Sequence, residues 1–589
     1  MTVYSLPPGA AFADEFAKGF WARFGALEPH EVPRIELLLN NNRSVRVVTE
    51  AMARHAAGAA LLPRITVLAE LGADPLRAGD LPPAIAPIRR QLRLTRLVEM
   101  FLARGEPGQG APVSAAPDLA RSLATLIDDF DEAGIPLDAL DRATEGEHAE
   151  HWGRTLRFLD IVREFWPAIV NEEEGGAPGP KARQRAAVER IVRLWENSPP
   201  RSPVIAAAST GSVTTTAVLM AAISRLQNGF VLLPGFDRTV ASDIWDAVSS
   251  GACPEHPMAP FVPLLSALDR RPDDIEPWSD AGPAPARHRL ITQAMRPAPV
   301  TDAWQREADI LGPAVEPATR ALSLLEAQTP RHEAAAIALA TRHALEVPGK
   351  SVLILTGSAG LARRINAELA RFGIEADDSL GRPLALTPTG VFLRMIAEIA
   401  EGAGGALKLA SLLSHPLCRP GCSRPEHEGR ARRYEQSVLR RRDVSEDGCF
   451  PEWQSPDPDD AAWLELIAAA IHSMRSALSS GADLRSIVSA HIDAATLLSR
   501  DTGSEGLVWD GDEGEAARHL FVSLLDASDA YGSDAVEAYA ALVATLMRSE
   551  EVRMPGQAPH PRVTLMSPRE SRVASADLVI LAGLNEGGW

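Results

Sequence analysis

At 589 residues, with 46% hydrophobic and 23% charged side chains, the chain has an ordinary globular composition and is too long for one hydrophobic core. Its net charge of −19 excludes a protein that coats nucleic acid by overall charge, though not one that holds it in a local channel. The few cysteines exclude a disulfide framework and fit a reducing cytoplasm, and the sequence shows neither a secretory signal nor a run of ~18–20 apolar residues.

In chain order, Phe12–Phe24 has the spacing of an amphipathic helix. Arg34–Leu39 reads as a strand, followed by a polar loop, Asn40–Ser44, a helix to about Ala56 and a second strand, Arg64–Leu68. Strand, loop and helix in this order open a nucleotide-binding α/β domain, so Asn40–Ser44 is the expected place for a phosphate loop. A working loop would read GxxxxGK[ST], and this one has neither glycine nor lysine. From Gly72 to Pro200 helical periodicity takes over in Ile88–Leu102, Asp118–Ala133, His151–Trp166 and Ala182–Trp195, with breaks at Gly105–Gly110 and Gly175–Pro180. Arg89, Arg93 and Arg96 share one helix face, and a salt-bridged face is favoured over a phosphate-facing stripe.

The α/β pattern returns with the strand Pro203–Ala208, the turn Ser209-Thr210-Gly211-Ser212 and the helix Val213–Leu226. Gly229–Leu233 is a further strand, and Gly251–Val300 is expected to be an irregular crossing. A second α/β unit starts with a strand candidate at Ala321–Glu326 and a helix at Arg331–Glu346. The strand Ser351–Thr356, the turn Gly357-Ser358-Ala359-Gly360 and the helix Leu361–Phe372 follow. After the helix Gly390–Ala400 the chain is mostly helical to Met554. Val563–Met566 and Leu578–Ala582, apolar on both faces, read as buried parallel strands. The second empties into a glycine-rich turn that leaves Asn585 and Glu586 where a parallel sheet presents its ligands, and the chain is expected to be a piece of a longer protein.

Three local patterns carry chemistry on their face. Gly349-Lys350-Ser351 precedes its strand instead of following it, so it reads as a decoy phosphate loop. His415, Cys418, Cys422 and His427 have a spacing that a zinc ion could use, but a helix end with buried cysteines is the favoured reading. Arg430, Arg432, Arg433, Arg440, Arg441 and Arg442 form the densest basic segment, equally suited to phosphate contact or to a solvated helix. Paired acids such as Asp128-Asp129 and Asp459-Asp460 read as solvated charge.

The closing SPRESRVASADLVILAGLNEGGW resembles the end of the second RecA-like domain in the AddB family, subunits of the AddAB helicase-nuclease. The match is carried by Glu570, Arg572, Asp577 and Gly583–Trp589. PVIAAASTGSVTTTAVLMAAI, VLLPGFD, DDSLGRPLALTPTGVFLRMI and LLSHPL are similar, in order and spacing, to the alphaproteobacterial type. The resemblance implies an α/β fold of two RecA-like parallel-sheet domains of superfamily 1 helicase type, each with a large helical insertion. The expected divisions are 1–71, 201–300, 301–400 and 556–589 for the two domains, with insertions at 72–200 and 401–555. It further implies a DNA-guiding subunit in double-strand-break repair, with an AddA-type partner that hydrolyses ATP and with Mg²⁺ expected in a nuclease domain beyond Trp589. No catalytic residue, cofactor or metal is expected in this chain. The DNA-contact candidates are Ser209, Thr210, Ser212, Ser358, His415, Arg440, Arg441, Arg442, Glu570, Arg572, Asn585 and Glu586. The rival reading is a nucleotide-free scaffold that touches AddA alone.

Overall fold

A computed structural model describes residues 3–587, apart from 57, 73–78, 105–110, 138, 140–158, 160–162, 281–284, 380, 442–449, 502, 504–505, 533–534, 553–558 and 569. The break at Gly105–Gly110, most of the helix expected at His151–Trp166, Arg442 and the end of the last turn lie outside the described residues.

Two parallel sheets organise the chain. The first contains β1 (Val3–Leu6), β2 (Glu36–Leu39), β3 (Arg64–Val67), β4 (Val204–Ala207), β5 (Gly229–Pro234) and β6 (Glu276–Pro277). Its order is β3-β2-β4-β5-β1-β6, and every pairing is parallel. Alternate side chains along each strand feed two cores. Leu37, Leu39, Ile205, Ala207 and Leu232 face α1 (Phe12–Phe24) and α2 (Asn42–His55). Leu38, Val204, Ala206, Val231 and Leu233 face the opposite layer.

Helix α1 forms because Phe12, Phe16, Phe20 and Phe24 recur every fourth residue and are all buried. Phe16 stacks on Trp278 with ring centroids 5.8 Å apart. Gly19 lies under the same indole, and a Cβ there would come within 2.3 Å of the Trp278 Nε1 atom.

The first helical insertion contains α3 (Pro87–Arg104) and α4 (Ala116–Ala133), and α5 (Pro180–Asn197) returns to cover the sheet with Val188 and Ile191. The arginines of α3 are paired: Arg89 with Glu174 and Asp529, Arg93 with Glu174, and Arg96 with the Tyr531 carbonyl. α6 (Thr214–Arg225), α7 (Ser242–Ser249) and α8 (Val262–Ala267) complete the second face.

The expected irregular crossing at Gly251–Val300 is largely ordered, holding α8, β6 and α9 (Pro285–Ala294). Its prolines sit mainly in the first turns of short helices, which proline favours, instead of breaking them. Next comes α10 (Ala303–Thr319), and Ala321–Glu326 then runs as exposed coil outside either sheet.

The second sheet has the order β12-β7-β11-β8, all parallel, from β7 (Val352–Leu355), β8 (Asp377–Asp378), β11 (Val563–Met566) and β12 (Leu578–Leu581). A short antiparallel pair, β9 (Arg382–Pro383) with β10 (Glu551–Val552), stands apart from it. α11 (Pro330–Leu345) and α12 (Ala359–Ala370) cover one face. β11 is buried as expected, but β12 is the end strand and is half-exposed.

The second insertion is a helical bundle around α13 (Pro388–Ala400), with α14 (Ala406–Ser414), α15 (Arg424–Tyr434), α16 (Pro458–Ser479), α17 (Leu484–Leu498), α18 (Gly511–Asp526) and α19 (Tyr539–Ser549). Leu92 of α3 is buried in this bundle's core, so the two insertions are packed together. Asp460 is not solvated charge. It is fully buried and held by Arg433 at 2.5 Å and Ser455 at 2.7 Å.

Candidate nucleic-acid interface

In a parallel sheet, ligands lie beyond the carboxyl ends of strands, where neighbouring strands send their connections to opposite faces. The first sheet has two such places. β1 leaves toward α1 while its neighbour β5 leaves toward α7, and β2 leaves toward α2 while its neighbour β4 leaves toward α6.

The turn between β1 and α1, Pro7-Pro8-Gly9-Ala10-Ala11, is the leading strand-to-helix turn of the sheet, one strand earlier than expected. It has no lysine and no hydroxyl to surround a phosphate. Asn40–Ser44 follows the second strand instead, and there Asn41 caps α2 by accepting the Ser44 N–H at 2.8 Å.

The turn after β4 brings several candidates together. Ala208 and Gly211 both adopt positive φ, 65° and 69°. Ser209 Oγ accepts from the Gly211 N–H at 3.3 Å, and Thr210 Oγ1 donates to Ser212 Oγ at 3.1 Å. From the second sheet, Arg572 Nη1 donates to Thr210 Oγ1 at 3.3 Å. Arg572 stands on the 3₁₀ turn Ser571–Val573, and Val573 is buried in the α1 core of the first sheet. Arg43 of α2 reaches both carboxylate oxygens of Asp377 in β8 at 3.4 Å, which adds a second tie between the sheets. Glu570 lies in the same linking segment, and its Oε2 is buried without a hydrogen-bond partner among the described residues.

A second group forms where β7 and β12 end side by side. Ser358 caps α12 by accepting from the Leu361 N–H at 3.2 Å. The Gly583 N–H donates to Glu333 Oε1 at 2.7 Å, and its φ of 75° lets the chain turn beside Leu361. Asn585 and Glu586 are exposed just beyond.

The remaining candidates lie in the helical bundle. His415 is buried, stacks on Phe392 at 5.1 Å and accepts from the Leu417 N–H at 3.2 Å. Burial, assisted by the Arg424 charge, lowers its pKa to about 4, so it is neutral and packed away. Arg440 pairs with Glu435 at 2.8 Å, while Arg430 and Arg433 pair with Asp460. Arg441 is exposed, and Arg442 is outside the described residues. The segment is therefore part solvated helix and part salt bridge.

The zinc-like spacing resolves into packing. His427 Nε2 donates to the Leu413 carbonyl at 2.7 Å, and its Nδ1 accepts from Trp463 at 3.2 Å, so both nitrogens are engaged. Burial pushes the thiols of Cys418 and Cys422 upward, away from the thiolate a metal needs. Among the described residues, no group of His, Cys, Asp and Glu is arranged to hold a metal.

Gly349-Lys350-Ser351 lies at the amino end of β7, opposite the turns. There Ser351 N–H and Oγ both bond Asp577 Oδ2 at 2.8 Å, which holds that carboxyl below its ordinary range. Ser209 and Thr210 are buried, so at this turn the exposed Ser212 hydroxyl and the Arg572 guanidinium are the groups that can reach a phosphodiester. The sequence signalled Ser209–Ser212 and Arg572 separately; their meeting, and the Arg43–Asp377 tie, arise from tertiary packing. Pro7–Ala11 was missed because the strand before it is four residues long and includes Tyr4 and Ser5.

No family model and no curated protein matches this chain. No helix among the described residues is long and apolar enough to cross a membrane.

Proposed function

We propose that the chain is the helicase-like part of an AddB-type subunit, with two RecA-like domains that guide one DNA strand and do not hydrolyse ATP. The observation that carries this reading is the Arg572–Thr210 contact, which sets a guanidinium from the second sheet against the strand-end turn of the first. In a working helicase that cleft would hold nucleotide. Here the turns that lead into the helices, Pro7–Ala11 and Asn40–Ser44, supply no lysine and no glycine-rich cradle. ATP turnover therefore belongs to the AddA-type partner. The exposed Ser212 hydroxyl and Arg572 guanidinium that remain suit phosphate contact without chemistry.

The scaffold reading is favoured by one observation, the internal pairing of Arg430, Arg433 and Arg440, which lowers the charge left for DNA. The two readings separate in a binding experiment with the purified chain, a fluorescent single-stranded oligonucleotide and the AddA-type partner. The guide reading requires oligonucleotide binding by the chain alone at low salt. Partner binding without oligonucleotide binding supports the scaffold.

A further inference from the structure

Arg43 and Arg46 stand three residues apart near the start of α2, on one face of the helix. Arg43 meets Asp377 across the two sheets at 3.4 Å through both terminal guanidinium nitrogens, and Arg46 Nη1 reaches Asp377 Oδ2 at 3.6 Å. These contacts are loose, since close guanidinium–carboxylate bonds measure about 2.7–2.9 Å. The Asp377 side chain is 32% exposed, so water already competes for its carboxylate. Arg46 also holds Glu50 at 3.2 Å within α2. Two guanidinium groups therefore meet two carboxylates, and the cluster is neutral.

Asp377 and its neighbour face different ways. Successive strand residues point to opposite sides, and Asp378 turns to its own sheet, where its Oδ2 accepts from Asn366 Nδ2 of α12 at 2.6 Å. Asp377 is aimed at the first sheet instead. The register of β8 against Thr564 and Leu565 of β11 is set by backbone pairing, which does not use the Asp377 carboxylate.

The arginines lie beside the cleft already described. α2 begins at the carboxyl end of β2, and β2 pairs with β4, whose end carries Ser209–Ser212. Neighbouring strands stand about 4.8 Å apart, so Arg43 and Arg46 adjoin the Thr210–Arg572 contact along one sheet edge. A nucleic-acid strand held at Arg572 can place a further phosphate there, and a guanidinium fork takes phosphate oxygens as it takes carboxylate oxygens.

Resting on the DNA-guiding reading, we propose that Asp377 is a built-in competitor of the strand's phosphates. Its carboxylate occupies Arg43 and Arg46 in the free protein, and a phosphodiester takes its place in the complex. The exchange unfastens one of the two polar ties between the sheets. Competition keeps the grip weak, which lets a guided strand move on.

The test is a salt titration of fluorescent single-stranded oligonucleotide binding by the full chain, with circular dichroism to confirm folding of each variant. Asp377→Asn should tighten binding at low salt by about threefold or more. Asp378→Asn removes the same charge from a carboxyl turned toward Asn366 and should tighten it clearly less. Arg43→Ala with Arg46→Ala should weaken binding and flatten the log–log salt slope by about one unit or more, and in that background Asp377→Asn should have no effect. Equal tightening by the two aspartate variants, no tightening by Asp377→Asn, or an undiminished effect of Asp377→Asn without the arginines would each overturn the competitor. If binding responds to Arg572→Ala and to none of these variants, the exchange fails and the guide reading stands. If the unaltered chain binds no oligonucleotide at low salt, both fail.

Discussion

Asp459 and Asp460 are neighbours whose side chains meet opposite fates. Asp459 is 77% exposed at the start of α16, whereas Asp460 is fully buried between Arg433 and Ser455. Asp460 is the buried acceptor that Ser455 and the half-exposed Arg433 share, so Asp460→Ala leaves no buried charge behind and should cost about 1–3 kcal/mol in urea unfolding. Asp459→Ala should stay within about 0.5 kcal/mol. Glu99 offers a pH-linked case. It is partly buried, accepts a hydrogen bond from Tyr531, and its pKa is pushed up to about 7, chiefly by loss of solvent around the carboxyl. Its neutral form is the one the fold prefers, so its contribution is fully present below the ordinary carboxyl range and is lost as pH rises through about 7. The loss should be on the order of 2–3 kcal/mol, and Glu99→Gln should flatten the stability profile between pH 5 and 8, to about that extent. An unchanged slope in that variant would remove Glu99 as the source.

At the scale of elements, long periodic or strongly apolar segments were legible and short or tertiary-dependent ones were not. Phe12–Phe24 and Val563–Met566 were readable to the residue, because four phenylalanines at helical spacing and four apolar residues before a turn leave little choice. Val3–Leu6 was not, since VYSL becomes a strand only by pairing with β5 and β6. Leu578–Leu581 looked as buried as β11, and only strand order reveals that it sits at the edge. Of the candidate site, the strand-end turns were visible from glycine and serine patterns, while His415 misled because a local motif does not reveal burial. The contact between the two insertions was invisible for the same reason, and it also separates two energies. Arg89–Asp529 is a well-formed ion pair, but Asp529 is 65% exposed, so Asp529→Ala should cost at most about 1 kcal/mol. Leu92 is fully buried in the bundle's core, so Leu92→Ala should cost about 2–5 kcal/mol by thermal or urea unfolding. Equal costs would mean that charge, not packing, joins the insertions.

For the whole molecule, two sheets face each other through Arg572, Val573 and the Arg43–Asp377 pair, without a phosphate cradle in the turns that lead into the helices. The purified chain should show no DNA-stimulated ATP hydrolysis, and turnover abolished by a substitution in Pro7–Ala11 or Asn40–Ser44 would contradict this. The central claim, that the Thr210–Arg572 cleft guides a DNA strand, is tested most directly by a salt titration of single-stranded oligonucleotide binding. Arg572→Ala is compared with the unaltered chain, and circular dichroism confirms that both are folded. Phosphate contact through Arg572 predicts weaker binding to every sequence and a log–log salt slope shallower by about one unit. Binding with an unchanged slope, or no binding even at low salt, would contradict it.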